Sequence, residues 1–123
     1  MKLFIVDDSS VTRQIIKAVA DVLQMETEEA EDGVDALEKL PNIYKEIDLI
    51  LLDWNMPEMN GYDVLVTIKG DERYSDIPVM MVTTEGQQSS IVAAVRAGVD
   101  NYLVKPFTVA ELEAKITECL GEV

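Results

Sequence analysis

Four short apolar runs in this sequence are each followed at once by side chains that can do chemistry. These side chains are Asp7 and Asp8, Asp53, Thr83 and Lys105. They offer three carboxylates, one hydroxyl and one ammonium group. If the apolar runs are parallel strands of one sheet, their carboxyl ends share an edge, where ligands bind in such sheets. We therefore expect these groups to meet at one site.

Carboxylates held close together require a cation. The chain has no histidine and one cysteine, so the available ligands are oxygens, which select a hard ion such as Mg²⁺, with Mn²⁺ as a substitute. Mg²⁺ leaves coordination positions for phosphate oxygens, and Lys105 and Thr83 suit the other phosphoryl oxygens as a point charge and a hydroxyl donor. Asp53 stands alone after its strand. It is the best candidate for a nucleophile toward phosphorus, giving an aspartyl phosphate.

Strands and helices must hold these residues in place, and two patterns of apolar residues in the sequence predict where they lie. Short apolar runs predict buried strands, and one charged run predicts a strand at a sheet edge, where charge discourages mispairing. The strands cover residues 3–6, 26–30, 48–52, 79–82 and 102–104. Apolar residues three and four apart predict helices over residues 10–23, 34–40, 62–69, 91–97 and 109–120, with Pro41 ending the second. This alternation predicts a parallel sheet with helices on both faces.

Composition excludes several classes of function. The chain has 24 acidic and 10 basic residues and a net charge of −14, so charge does not favour nucleic acid or an anionic membrane. The absence of histidine excludes Ser-His-Asp catalysis and histidine zinc sites. No apolar run approaches the roughly 18 residues of a membrane span, and the first is shorter than the roughly 7–15 of a signal peptide. We expect a cytoplasmic protein.

In these residues the chain resembles the receiver domains of two-component response regulators. The matching positions are Asp7-Asp8, Asp53, Thr83 and Lys105-Pro106. Stretches over residues 30–37, 53–57, 81–83 and 102–108 are similar to the stand-alone chemotaxis (CheY-type) members of that family. The resemblance implies a flavodoxin-like, doubly wound α/β fold with five parallel strands in the order 2-1-3-4-5 and five helices. It also implies a single receiver domain over residues 1–123 with no output domain.

The resemblance assigns a role to each site residue. Asp53 would accept the phosphoryl group. Asp8, Asp53 and the backbone carbonyl of Asn55 would bind Mg²⁺ directly, and Asp7 would act through a water. Lys105 would hold a phosphoryl oxygen, and its peptide bond to Pro106 would be cis.

The resemblance also implies a switch. Thr83 would move toward the phosphoryl group, and Tyr102 would change its packing in step, which links the site to the face formed by the fourth helix, fifth strand and fifth helix. Asn55 and Glu85 occupy the positions that tune attack by water on the acyl phosphate. Such a protein is not an enzyme, beyond phosphorylating itself from small donors and dephosphorylating itself.

The implied partners are proteins. The donor would be a phosphohistidine on a CheA-like histidine kinase. A monomer of the chain would then dock on a target such as a FliM-like flagellar motor switch protein, and a phosphatase could remove the signal. Gln87-Gln88 stands where motor-binding members often have lysines. This difference leaves the target open.

Three other functions fit parts of the pattern. A flavodoxin-type electron carrier needs a glycine-rich phosphate loop after the first strand, but residues 7–10 contain no glycine. A haloacid dehalogenase-type hydrolase needs an acid two residues after the nucleophile, where this chain has Asn55. A stand-alone phosphorelay intermediate unrelated to motility would have the same chemistry as a chemotaxis regulator and a different partner.

Overall fold

The computed structural model describes residues 1–121, in which strands and helices alternate. The strands are β1 (Lys2–Val6), β2 (Glu26–Ala30), β3 (Leu49–Leu52), β4 (Val79–Thr83) and β5 (Asn101–Val104). The helices are α1 (Ser10–Val22), α2 (Gly33–Ile43), α3 (Gly61–Lys69), α4 (Gln88–Arg96) and α5 (Val109–Leu120). A short 3-10 helix, Tyr44–Glu46, follows α2. In the part of the chain that the structure describes, no helix combines the length and apolarity that a membrane crossing requires.

All strand pairs are parallel, and the order β2-β1-β3-β4-β5 confirms the predicted fold. The chain direction across the sheet reverses between β1 and β3, which is where ligands bind in such folds. There Val6 pairs with Leu52, and Leu52 pairs with Met81. The residues that follow these strands therefore start from neighbouring positions at one edge of the sheet.

The sheet separates two apolar clusters, and β3 contributes to both. Leu49 and Leu51 belong to a cluster with residues of α1 and α5. Ile50 and Leu52 belong to a cluster with residues of α2, α3 and α4. Because helices cover both faces, all residues of β3 are buried, as is typical of a central parallel strand. This packing makes the sheet a rigid support for the groups at its edge.

The charged strand lies at the sheet edge, as predicted. In β2 only Ala30 is buried, and its neighbours are acids and a threonine. Salt bridges from Arg13 and Lys17 to Glu29 connect this strand to α1. An edge strand of this kind is protected by its charge from pairing with a second chain.

Pro41 lies inside α2 and does not end it, so the predicted end of that helix was wrong. A proline removes one hydrogen bond, the one to the carbonyl four residues earlier, and its ring crowds that carbonyl. Pro41 is exposed, but Ile43 and Tyr44, two and three positions later, are partly buried and pack against the core. Burial of these two side chains offsets the lost hydrogen bond and keeps the last turn helical.

The other boundaries differ from the predictions by a few residues. α4 begins at Gln88, three positions before the predicted start, because its first turn is polar and shows no apolar periodicity. Gly98, with φ of 101°, follows α4 in a left-handed conformation that favours glycine. The predicted bounds of α5 are confirmed, and Thr108 and Glu111 form a capping box at its start.

Candidate functional site

Three carboxylates meet at the carboxyl edge of the sheet, as the sequence predicts. Asp7 and Asp8 follow β1 and Asp53 follows β3, and each offers a ligand oxygen within 4.8 Å of the others. Asp7 and Asp53 are buried, whereas Asp8 is exposed. The cluster is therefore set into the protein on one side and open to solvent on the other.

Lys105 brings a positive charge from the end of β5. Its Nζ lies 3.0 Å from Oδ2 of Asp7 and 3.6 Å from Oδ2 of Asp53. Its backbone N–H donates to the carbonyl of Thr83 at 2.8 Å, and its bond to Pro106 is cis, as the resemblance implies. Three carboxylates against one ammonium leave two negative charges without a partner in the cluster.

The donor set fits a hard divalent cation. The nearby ligand atoms are carboxylate oxygens, and their excess negative charge equals the charge of one Mg²⁺ ion. Exposed Asp8 gives such an ion a route from solvent. Asp7, Asp8 and Asp53 are thus the residues that could hold Mg²⁺ or Mn²⁺.

Both carboxylate oxygens of Asp7 accept hydrogen bonds. Its Oδ1 accepts a hydrogen bond from the N–H of Ser9 at 2.8 Å, and its Oδ2 accepts one from Lys105. Burial raises the pKa of Asp7, and the nearby charge of Asp53 adds to this effect. The hydrogen bonds from Ser9 and Lys105 act in the opposite direction and do not cancel it. Ionised Asp7 therefore destabilises the protein when no cation is bound.

Thr83 and Tyr102 connect to the same residue, Glu85. The hydroxyl Oγ1 of Thr83 accepts from the N–H of Glu85 at 3.2 Å, and the hydroxyl of Tyr102 donates to the Glu85 carbonyl at 2.5 Å. Burial raises the pKa of the Tyr102 hydroxyl, so it stays a donor at neutral pH. Both hydroxyls therefore contact backbone groups of the same residue, one its N–H and the other its carbonyl.

A family model described as a response regulator receiver domain matches residues 3–117. The chain belongs to the response regulator receiver family. This match sets aside the flavodoxin-type electron carrier and the haloacid dehalogenase-type hydrolase, which share only parts of the pattern.

Several relatives of this receiver domain are chemotaxis proteins. It is 47% identical to the chemotaxis protein CheY1 of Helicobacter pylori over 98% of each chain. The structure of Vibrio cholerae CheY4 has a TM-score of 0.89 and 31% identity, and covers 97% of this chain and 98% of that one. A chain of the CheX–CheY–BeF₃–Mg²⁺ complex of Borrelia burgdorferi has a TM-score of 0.91 and 26% identity, covering 96% of this chain and 87% of that one. The protein is therefore a receiver domain homologous to CheY chemotaxis regulators.

Asn55 and Glu85 lie at the rim of the receiver site. The backbone N–H of Asn55 donates to Oδ1 of Asp53 at 3.3 Å, and its side-chain amide lies 3.5 Å from Oγ1 of Thr84. Oε1 of Glu85 accepts from the hydroxyl of Ser90 at 3.0 Å. The Glu85 carboxylate is thereby held against the first turn of α4.

Gly61 was missed in the sequence, although the receiver site depends on it. Its N–H donates to the carbonyl of Trp54 at 2.7 Å. A Cβ at this position would lie 2.0 Å from the carbonyl oxygen of Asp53. Only a glycine lets α3 begin against the backbone of Asp53. A glycine between the cap Asn60 and an apolar helix is the signal that could have indicated this close approach.

Arg13 and Ser90 were also missed. Arg13 donates to the carbonyl of Asp7, and Ser90 donates to the carboxylate of Glu85. Both side chains lie in the first turn of a helix that follows a strand of the site, and no sequence motif marks them.

Proposed function

We propose that this receiver domain is a phosphorylation-activated switch that accepts a phosphoryl group on Asp53 with Mg²⁺ and then docks on a partner protein in chemotaxis. The observation that supports this most is the meeting of three carboxylates with Lys105 and Thr83 at one edge of the sheet. The sequence identity of 47% with a chemotaxis protein supports a role in chemotaxis.

In this proposal Asp8, Asp53 and the Asn55 backbone carbonyl would hold Mg²⁺ directly, and Asp7 would act through a water. Bound Mg²⁺ would offset the negative charge of the carboxylates and the incoming phosphoryl oxygens. A related complex that contains Mg²⁺ supports this choice of ion.

The reaction needs few groups from the protein. A carboxylate oxygen of Asp53 attacks phosphorus, the P–N bond of a phosphohistidine breaks, and its electron pair stays on the ring nitrogen. Lys105, already 3.6 Å from Asp53, would bind a phosphoryl oxygen. Thr83 would turn from the Glu85 N–H to a second oxygen. The donor belongs to another protein, a CheA-like histidine kinase, since this chain has no histidine.

Signal output and its removal complete the proposal. Tyr102 changes its packing when Thr83 moves, and a monomer in the cytoplasm docks through α4, β5 and α5 on a target such as a FliM-like motor switch protein. Asn55 and Glu85 set the rate at which water removes the phosphoryl group, and a phosphatase could accelerate this step. Apart from reactions at its own Asp53, we propose no enzymatic activity.

The test is phosphorylation by acetyl phosphate and Mg²⁺, followed by measurement of intact mass. We expect one phosphoryl group on the wild-type protein and none after Asp53→Asn or in EDTA. Asp63→Asn is the matched control, because Asp63 is an exposed acid in the first turn of α3. Labelling of a residue other than Asp53 in the wild-type protein would overturn the proposal.

A further inference from the structure

Arg13 in α1 reaches back to the strand end that provides two of the acids. Its Nη1 donates a hydrogen bond to the backbone carbonyl of Asp7 at 2.6 Å. Its side chain is mostly buried, with 17% exposed. A charged donor at this distance makes a strong hydrogen bond to a carbonyl. Arg13 therefore restrains the backbone of the site without touching any of its carboxylates.

Glu29 in β2 holds Arg13 in this position. Oε1 of Glu29 accepts from Nε of Arg13 at 3.0 Å, and Oε2 accepts from Nζ of Lys17 at 2.9 Å. The hydrogen bond from Lys17 and, more weakly, the one from Arg13 lower the pKa of Glu29. This carboxylate is therefore ionised at neutral pH and fixes the plane of the guanidinium group.

The carbonyl that Arg13 binds belongs to the peptide group between Asp7 and Asp8. Pairing of β1 with β2 ends at Val6 and Ala30, and one further bond runs from the N–H of Asp7 to the Ala30 carbonyl. The Asp7 carbonyl lies beyond this ladder, so the strand pairing does not fix it. Its orientation sets where the Cα of Asp8 lies, because a peptide group is planar.

We propose that Arg13, held by Glu29, is a positioning residue for the metal site: it fixes the Asp7–Asp8 peptide so that both carboxylates are placed to bind Mg²⁺. This inference rests on the Mg²⁺ site of the proposed function. Residues that orient the ligands of a metal, without binding it, typically contribute 10–100-fold to its affinity.

The positive charge of Arg13 and its contact with the Asp7 carbonyl should have opposite effects on Mg²⁺ affinity, which makes the proposal testable. Arg13 is a cation close to a cation site, so its charge alone weakens Mg²⁺ binding. If charge were its only contribution, removing it would tighten binding. If Arg13 positions the ligands, removing it weakens binding in spite of the relieved repulsion. The sign of the change in Kd separates the two effects.

The experiment is a Mg²⁺ titration followed by the fluorescence of Trp54 and by calorimetry. We expect Arg13→Met to raise the Kd about tenfold, within the range for residues that orient metal ligands. Lys17→Met is the matched control, since Lys17 binds the same Glu29 and has the same charge but does not contact the Asp7 peptide. Its Kd should stay equal to the wild-type value or fall.

Two further measurements complete the test. Thermal melts in EDTA show whether each variant folds. If Arg13→Met does not fold, Arg13→Lys is used instead. The lysine keeps the positive charge but lacks the planar guanidinium that joins Glu29 to the Asp7 carbonyl. If the Arg13 variant melts at a lower temperature but keeps the wild-type Kd for Mg²⁺, or if its Kd falls as in Lys17→Met, the positioning role is overturned and the proposed metal site still stands. Absence of a Mg²⁺ response in the wild-type protein would instead overturn the metal site of the proposed function.

Discussion

At the scale of single residues, the charge of Asp7 lowers the stability of the metal-free protein but would favour the proposed binding of Mg²⁺. Its pKa is raised from the ordinary value of 3.8, chiefly by burial. An acid with a higher pKa in the folded than in the unfolded chain binds more protons when folded, so the folded state gains stability at low pH. That gain is lost as the pH rises from 3.8 through the folded pKa. A bound cation reverses this, since it favours the ionised carboxylate.

Melts of wild-type protein and Asp7→Asn from about pH 3.5 to about pH 8, that is, from just below the ordinary acid pKa to about four units above it, test this opposition. In EDTA, the wild-type protein should lose stability relative to the variant as the pH rises. The substitution also alters the hydrogen bonds of residue 7, but this changes the stability by the same amount at every pH and does not affect how the stability difference varies with pH. With Mg²⁺ at a hundredfold excess over Kd, the wild-type protein should gain about 2.7 kcal/mol, and the variant much less.

Asp63→Asn serves as the control for the pH series, because it removes an exposed acid outside the cluster and should leave the contribution of buried Asp7 to the pH dependence unchanged. Equal slopes in wild-type protein and Asp7→Asn would show that burial of Asp7 does not affect stability in this way.

At the scale of elements, the contact between α3 and the end of β3 sets the position of Asp53. Gly61→Ala replaces a poor helix former by a good one, which by helix propensity alone would stabilise the protein by about 1 kcal/mol. The new Cβ would instead meet the Asp53 carbonyl oxygen at 2.0 Å, so backbone must move. We expect a lower melting temperature and slower phosphorylation of Asp53, measured by thermal melts and intact mass.

Gly70→Ala at the other end of α3 is the comparison. A Cβ there would lie 3.1 Å from the Val66 carbonyl oxygen, which requires a shift of only a few tenths of an ångström. Its phosphorylation rate should match the wild type. If Gly61→Ala is as active and as stable as Gly70→Ala, the close approach to Asp53 does not limit the site.

The elements also show what the sequence can predict and what it cannot. Strands and their end residues were predictable because a buried parallel strand is a short apolar run, and its first polar residue marks the edge of the sheet. The helix through Pro41 was not, since burial of Ile43 and Tyr44 decides it. The contacts of Arg13 and Ser90 depend on how side chains of one element meet another, which no local pattern records.

At the scale of the whole molecule, Glu85 joins the site to the face formed by α4, β5 and α5. Its N–H binds Thr83, its carbonyl binds Tyr102 and its carboxylate binds Ser90 in α4. In the proposed switch, a change at Thr83 would therefore reach two elements through one residue. This arrangement is what a two-state switch requires, because one local event changes several contacts together.

Beryllofluoride, which mimics a phosphoryl group, should reveal this link in amide chemical shifts. With Mg²⁺ present we expect shifts that begin near Asp53 and extend through residues 87–119 in α4, β5 and α5. Thr83→Ala should confine them, because it lacks the hydroxyl that Glu85 contacts. Shifts restricted to the loop after Asp53 in the wild-type protein would mean that no such link exists.

The contact between Lys105 and Asp7 spans 98 positions of the chain. During synthesis the acids emerge from the ribosome long before the lysine that binds between them. A nascent chain that has reached only α4 has the three acids but lacks the ammonium group, and β5 is not yet present to complete the sheet. Under the proposed function, a copy that lacks the fifth strand would also lack the ammonium group that holds the incoming phosphoryl oxygen, so only the finished sheet would accept the phosphoryl group efficiently.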